Sequence, residues 1–98
     1  MRSCYLVSYD ISDPKRWRRI YRIMRGFGDP LHYSVFRCEL SKTEAVLLME
    51  ALSEAMHHDE DRIMLIRLGP ANSEVDDRMV FLGRRLETVT KHRVAVIV

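Results

Sequence analysis

Leu31-His32-Tyr33-Ser34-Val35-Phe36-Arg37-Cys38-Glu39-Leu40 is a run of strand-forming residues whose alternation changes phase half-way. Leu31, Tyr33 and Val35 share one face; Phe36, Cys38 and Leu40 share the other. A strand turns its side chains over at every residue, so the change demands a bulge or a sharp bend between Ser34 and Phe36. The stretch is therefore either one bulged strand or two short strands.

Both flanks turn helical. On the N-terminal side, Cys4-Tyr5-Leu6-Val7-Ser8-Tyr9 reads as a buried strand with Asp10 at its end. Ser12-Asp13-Pro14 is a helix start, because either polar side chain can cap and proline suits the first helical position. Trp17, Ile20, Ile23, Met24 and Phe27 recur at helical spacing, which predicts an amphipathic helix over 14–26, with Gly26 and Gly28 as C-terminal caps. On the C-terminal side, Ser41-Lys42-Thr43-Glu44 is a capping box. Ala45, Leu48, Met49, Leu52, Ala55 and Met56 continue a second apolar face to about His57. Further extended segments follow at 62–68, closed by Gly69-Pro70, at 79–82, and at 93–98.

Two amphipathic helices crossing one sheet give an α+β fold, a ferredoxin-like sandwich with an antiparallel sheet. The 98 residues form a single domain, 1–98, near the low end of the usual size range. So small a domain buries only about 60–65% of its unfolded surface, and a second copy would help it. Arg93-Val94-Ala95-Val96-Ile97-Val98 is apolar on both faces beyond its first residue and needs cover on both sides. It is read as a dimer-forming strand, with Val94, Val96 and Val98 as contacts and Phe36 as a core or dimer residue.

Composition is that of an ordinary soluble protein, 47% hydrophobic and 31% charged. Nothing at the N-terminus reads as a targeting signal, so none is expected, and no apolar run approaches the roughly 20 residues that span a bilayer. Cys4 and Cys38 sit among strand residues and read as buried thiols. A cytoplasmic protein with no membrane partner is expected. Net charge is only +2, but six basic residues and no acid lie between Lys15 and Arg25. Acids gather instead at 50–61 and 74–77. A segregated basic face suits phosphate binding even on a nearly neutral chain.

Tyr9-Asp10-Ile11, the basic first helix, the Gly-x-x-x-x-x-Ser-Val-Phe run from Gly28 to Phe36, and Phe81-Leu82-Gly83 before the last strand invite a comparison. In these residues, their order and its length, the chain resembles the small CRISPR adaptation protein family, whose members carry the name CRISPR-associated endoribonuclease. The resemblance implies a ferredoxin-like homodimer whose C-terminal strand pairs with the partner subunit's sheet. It implies magnesium, with manganese as the alternative ion, held between two copies of Asp10. It also implies a role in spacer acquisition, in which the dimer bridges two dimers of the larger CRISPR integrase and holds the DNA to be inserted. Members act as nucleases on RNA, as nucleases on duplex DNA, or as scaffolds. One departure is His32, where the family usually has glutamine.

Asp10 is thus the expected metal ligand and catalytic carboxylate. Ser34 is expected to bond a phosphate or orient Asp10, or else to satisfy the backbone at the bend. Lys15, Arg16, Arg18, Arg19 and Arg22 are expected on nucleic-acid phosphates, because the guanidinium fork matches that group. Asp13 is expected to cap its helix, and His57-His58-Asp59-Glu60-Asp61 to be a solvated loop. Three functions compete: a metal-dependent endonuclease on RNA or DNA, a non-catalytic scaffold for the integrase and prespacer DNA, and an RNA-binding module. The last would need an aromatic sheet face, and none is found.

Overall fold

The computed structural model describes residues 1–84 and 96–97. Strands β1 (Ser3–Asp10), β2 (Asp29–His32), β3 (Val35–Leu40) and β4 (Arg62–Pro70) form one sheet in the order β2-β3-β1-β4. Every neighbouring pair is antiparallel. Helices α1 (Pro14–Arg25) and α2 (Lys42–Ala55) make the two crossovers. This is the ferredoxin-like α+β sandwich that the pattern of apolar residues predicts.

The phase change has a definite cause. The segment is two strands, with the chain reversing at Tyr33-Ser34 and a register shift between Pro30 and His32. Each strand then keeps its own alternation. Pro30 sits on the short edge strand, the place where a residue without an N–H does least harm to a ladder.

Local chemistry sets both helices. The Asp13 side chain accepts the Arg16 N–H at 2.9 Å and Pro14 opens α1. At α2, Ser41 Oγ accepts the Glu44 N–H at 3.1 Å while Glu44 Oε1 accepts the Ser41 N–H at 2.8 Å, the reciprocal capping box. One face of the sheet buries Val7, Phe36 and Cys38 against Ile20 and Met24 of α1 and Leu48 of α2, all fully inaccessible. Gly28 is fixed by close approach: a Cβ there would lie 2.4 Å from the Arg37 carbonyl oxygen and 2.5 Å from Cys38 Sγ.

Of the two roles expected of Phe36, core or dimer contact, the structure gives it the core. It is wholly buried, with its ring centroid 5.4 Å from that of Tyr21 and 6.2 Å from that of Tyr9. Its strand position points it at the helices, so it is a core residue with no surface for a partner. Cys4 and Cys38 are buried free thiols, as expected. Burial pushes the Cys38 thiol up to about 12.

The opposite face of the sheet is partly covered by a short helix, α3 (Ser73–Asp77), in a segment where only an acidic cluster was expected. Asn72 caps it through a bond from Val75 N. Val75 and Asp76 are buried, and Asp76 accepts from Arg37 Nε at 2.6 Å and from Arg37 Nη2 at 3.1 Å. A strand β5 (Phe81–Leu82) follows. The end of the chain contributes β6 (Val96–Ile97), which pairs in parallel with β5 in a ribbon separate from the main sheet. Val94 and Val98, the other expected contacts, lie outside the described residues.

Candidate nucleic-acid and metal site

β1 carries Asp10 to the rim of the sheet. The strand is held by β3 on one side and β4 on the other, and its last register pair is Asp10 opposite Arg62. Asp10 is exposed there. It lines an open cleft of about 330 Å³ with Ser8, Tyr9, Arg62, Ile63 and Met64.

The residue before it is a brace. The Tyr9 N–H donates to the Ser34 carbonyl at 3.0 Å, and the phenol donates to the Tyr33 carbonyl at 2.6 Å. Burial raises the Tyr9 phenol far above its ordinary value, so it stays a donor at any working pH. The β2–β3 turn is thereby fastened to the strand end that bears Asp10. His32 belongs to the same device, since its Nδ1 accepts the Ser34 N–H at 3.3 Å. Ser34 therefore anchors the bend through its backbone. No hydrogen bond joins its hydroxyl to Asp10 among the described residues.

Behind Asp10, the loop into α1 is tied down by a residue that sequence reasoning left in solvent. The Asp61 side chain has no exposed surface. It accepts the Ser12 N–H at 3.1 Å, the Ser12 hydroxyl at 3.3 Å, the His57 N–H at 2.8 Å, and Arg16 through Nε at 2.8 Å and Nη2 at 3.2 Å. Glu60 adds a further bond to Arg16 Nη2 at 3.1 Å. The rest of the tract behaves as a loop: His57 Nδ1 accepts from Asp59 N, and His58 Nε2 meets the Ser53 carbonyl.

This network revises the part expected of Arg16. Its guanidinium, expected on a phosphate, is forked onto Asp61 and holds the root of α1 instead. Lys15, Arg18, Arg19 and Arg22 remain exposed, and no carboxylate pairs with them among the described residues. Spaced three and four apart, they form one stripe along the helix, beginning five residues after Asp10.

The bonds from Arg16 hold the Asp61 carboxyl well below the usual carboxylate range, helped by the His57 and Ser12 amides and opposed by burial. Because the folded pKa is depressed, this stabilisation is present at neutral pH and fades as pH falls below the unfolded value of about 4. Asp61→Asn is expected to be less stable at pH 7 and to lose less of its urea midpoint between pH 6 and 3 than the parent does. Parallel pH profiles for the two proteins would deny Asp61 this role.

As a metal donor, Asp10 is a hard carboxylate oxygen of the type magnesium takes. No group of three His, Cys, Asp or Glu side chains converges among the described residues. Among the described residues a single copy therefore offers Asp10 as one hard donor in the cleft and no cage.

Residues 3–74, which contain Asp10, α1 and the Asp61 network, match the family model described as CRISPR associated protein Cas2. The chain belongs to the Cas2 family. It is 35% identical over 96 residues to a CRISPR-associated endoribonuclease Cas2 of Geobacter sulfurreducens, covering 98% of this chain and 100% of that one. It is 34% identical over 92 residues to a CRISPR-associated endoribonuclease Cas2 of Rhodospirillum rubrum, covering 94% and 89%. The crystal structure of Streptococcus pyogenes Cas2 superposes with a TM-score of 0.72 at 25% identity, covering 82% of this chain and 99% of that one. A further crystal structure of a Cas2 protein gives 0.74 at 22% identity, covering 94% and 99%, and bears on the fold alone.

Set on the Cas2 fold, the expected residues divide. Asp10 and the Tyr33-Ser34 turn meet at one end of β1, and the free basic stripe starts one loop away. Sequence reasoning missed Asp61 and Arg62. Arg62 announced itself only by standing at the first position of a strand that must pair with β1. Among the described residues, no helix is long and apolar enough to cross a membrane.

Proposed function

We propose that this protein is a CRISPR adaptation nuclease. It works as a homodimer that grips duplex nucleic acid through the α1 stripe and cuts a phosphodiester at paired Asp10 carboxylates. The observation that carries this reading is an exposed Asp10 at the mouth of a cleft, one loop from a run of cationic side chains that make no ion pair among the described residues. The names of the relatives favour RNA as the strand that is cut. The exposed Met64, Ile66 and Leu82 give a small chain reason to recruit a second copy.

Two Asp10 side chains brought together by a two-fold would hold magnesium, or manganese, where one copy cannot. The bound ion would polarise the phosphoryl group and activate a water molecule. The protein's own part is positional. Tyr9 and the β2–β3 turn fix the carboxylate, Asp61 fixes the loop behind it, and the α1 arginines hold the backbone of the strand in place. Phosphate contacts of this kind position without reading sequence, so little base preference follows.

A scaffold that holds prespacer DNA for the larger CRISPR integrase is the second reading. It is favoured by Asp10 being the one carboxylate that lines the cleft among the described residues. One experiment separates the two: purified protein is given structured RNA and duplex DNA with magnesium or manganese, with a chelator as control. Cutting that stops with the chelator supports the nuclease. No cutting under any of these conditions leaves the scaffold. In the same samples, duplex affinity is expected to fall with salt at a log–log slope of about −0.9 per phosphate met. Arg18→Ala with Arg19→Ala should flatten that slope by roughly one unit per lost contact, and an unchanged slope would move the binding surface off α1.

A further inference from the structure

Arg62 lies directly opposite Asp10 at the end of the β1–β4 ladder and forms part of the wall of the same cleft. Side chains so paired have Cβ atoms about 4.5–5.5 Å apart and share a face of the sheet. The simplest account of an arginine there is a cross-strand ion pair with Asp10. The structure does not make that pair: no carboxylate lies within ion-pair distance of the Arg62 guanidinium among the described residues. Three other arginines are committed to partners. Arg67 on the same strand donates to Ser3 Oγ at 3.0 Å, Arg37 is bound to Asp76, and Arg16 to Asp61.

Charge gives the Arg62 guanidinium a purpose. Two Asp10 carboxylates would be offset by one divalent cation, so an incoming phosphodiester would bring negative charge that, of the residues lining the cleft, Arg62 alone can meet. A planar, always-charged fork on the cleft wall meets that need, in a bidentate geometry suited to phosphate oxygens. We propose that Arg62 is a phosphate-binding residue of the Asp10 cleft, holding the nucleic-acid backbone next to the carboxylate.

This rests on reading the cleft as a phosphodiester site, and the test is arranged so that the two can fail separately. Binding of a labelled 20-base-pair duplex is measured across a salt series in a chelator, where no cutting occurs. Arg62→Ala and Arg62→Gln are compared with Arg67→Ala, and each is also made in the Asp10→Asn background. Gln keeps most of the stem, so it guards against a local packing fault. We expect both Arg62 variants to bind roughly fivefold more weakly at low salt. The slope should shrink by about one unit for each Arg62 that meets a phosphate. Arg67→Ala should change neither. The decisive arm is the Asp10→Asn background. A phosphate ligand loses its affinity there too, whereas an arginine that merely masks Asp10 loses nothing once the carboxylate is gone. Disappearance of the Arg62 effect in that background, or an unchanged slope in either background, overturns the proposal. Absence of cutting in the wild type would sink the nuclease reading and leave this binding result standing by itself.

Discussion

Replacing Asp76 with alanine is expected to destabilise the protein by about 3–5 kcal/mol, the cost of breaking a buried ion pair from one side. Arg37 sits in the middle of β3 with 1% of its side chain exposed. Its charge is met by Asp76 at 2.6 and 3.1 Å, with Glu39 at 3.2 Å. Alanine removes the two Asp76 bonds, and with them a tie between α3 and the sheet next to the buried Val75. Small domains have total stabilities at the low end of roughly 5–15 kcal/mol, so the variant should lose most of its stability. A urea series read by circular dichroism measures this. Arg37→Met combined with Asp76→Leu should recover most of the loss, since a buried pair replaced on both sides by apolar groups costs little. A single Asp76→Ala variant within about 1 kcal/mol of the parent would mean that α3 is not seated on the sheet in solution.

Asp10→Asn is expected to separate cutting from gripping. The amide has the shape of the carboxylate, and Asp10 is exposed, so the fold should be unaffected. What changes is one negative charge per chain, two in a dimer. A neutral amide is a poorer ligand for a hard cation. The loss of cutting should exceed the roughly 10–100-fold that follows removal of an outer-sphere partner of a metal site. Duplex binding should persist or tighten, because repulsion between Asp10 and phosphate is relieved. Initial cutting rates and duplex affinity, measured on the same preparation, test both halves. Equal cutting by parent and variant would assign the activity to another residue or to a contaminant.

The fold was legible because its signals are local. The capping box at Ser41, the proline after Asp13 and the 3.6-residue spacing of Ile20, Ile23 and Met24 each act within one or two turns. The phase change around Ser34 was equally visible, but a bulge and a turn disturb alternation alike. Only the partner strands distinguish them. Asp61 was misread for a related reason. An acid after two histidines looks solvated until the chain closes and brings Ser12 and Arg16 across 49 and 45 residues of sequence. The signal that existed was on the other side: an arginine on the first turn of a helix, next to the polar loop, wants an anion. Likewise Arg37, charged among the apolar residues of β3, asked for a buried acid, and the cluster at 74–77 was the place to look. Asp10 and the α1 stripe were readable from type and order. That Arg16 is spent internally and that Arg62 stands opposite Asp10 are facts of register, which no one-dimensional pattern contains.

Trp17, the chain's one tryptophan, stacks on Tyr21 with ring centroids 5.1 Å apart, while its sequence neighbours are Arg16 and Arg18. The indole is partly buried and packs against the core beneath α1. The molecule thus carries an intrinsic optical reporter on the helix that bears the exposed cations. Indole emission reports whether that helix is seated, because leaving the core exposes the ring to water. Seating of α1 can therefore be followed by light on the unlabelled protein, without reference to whether a strand is ever cut.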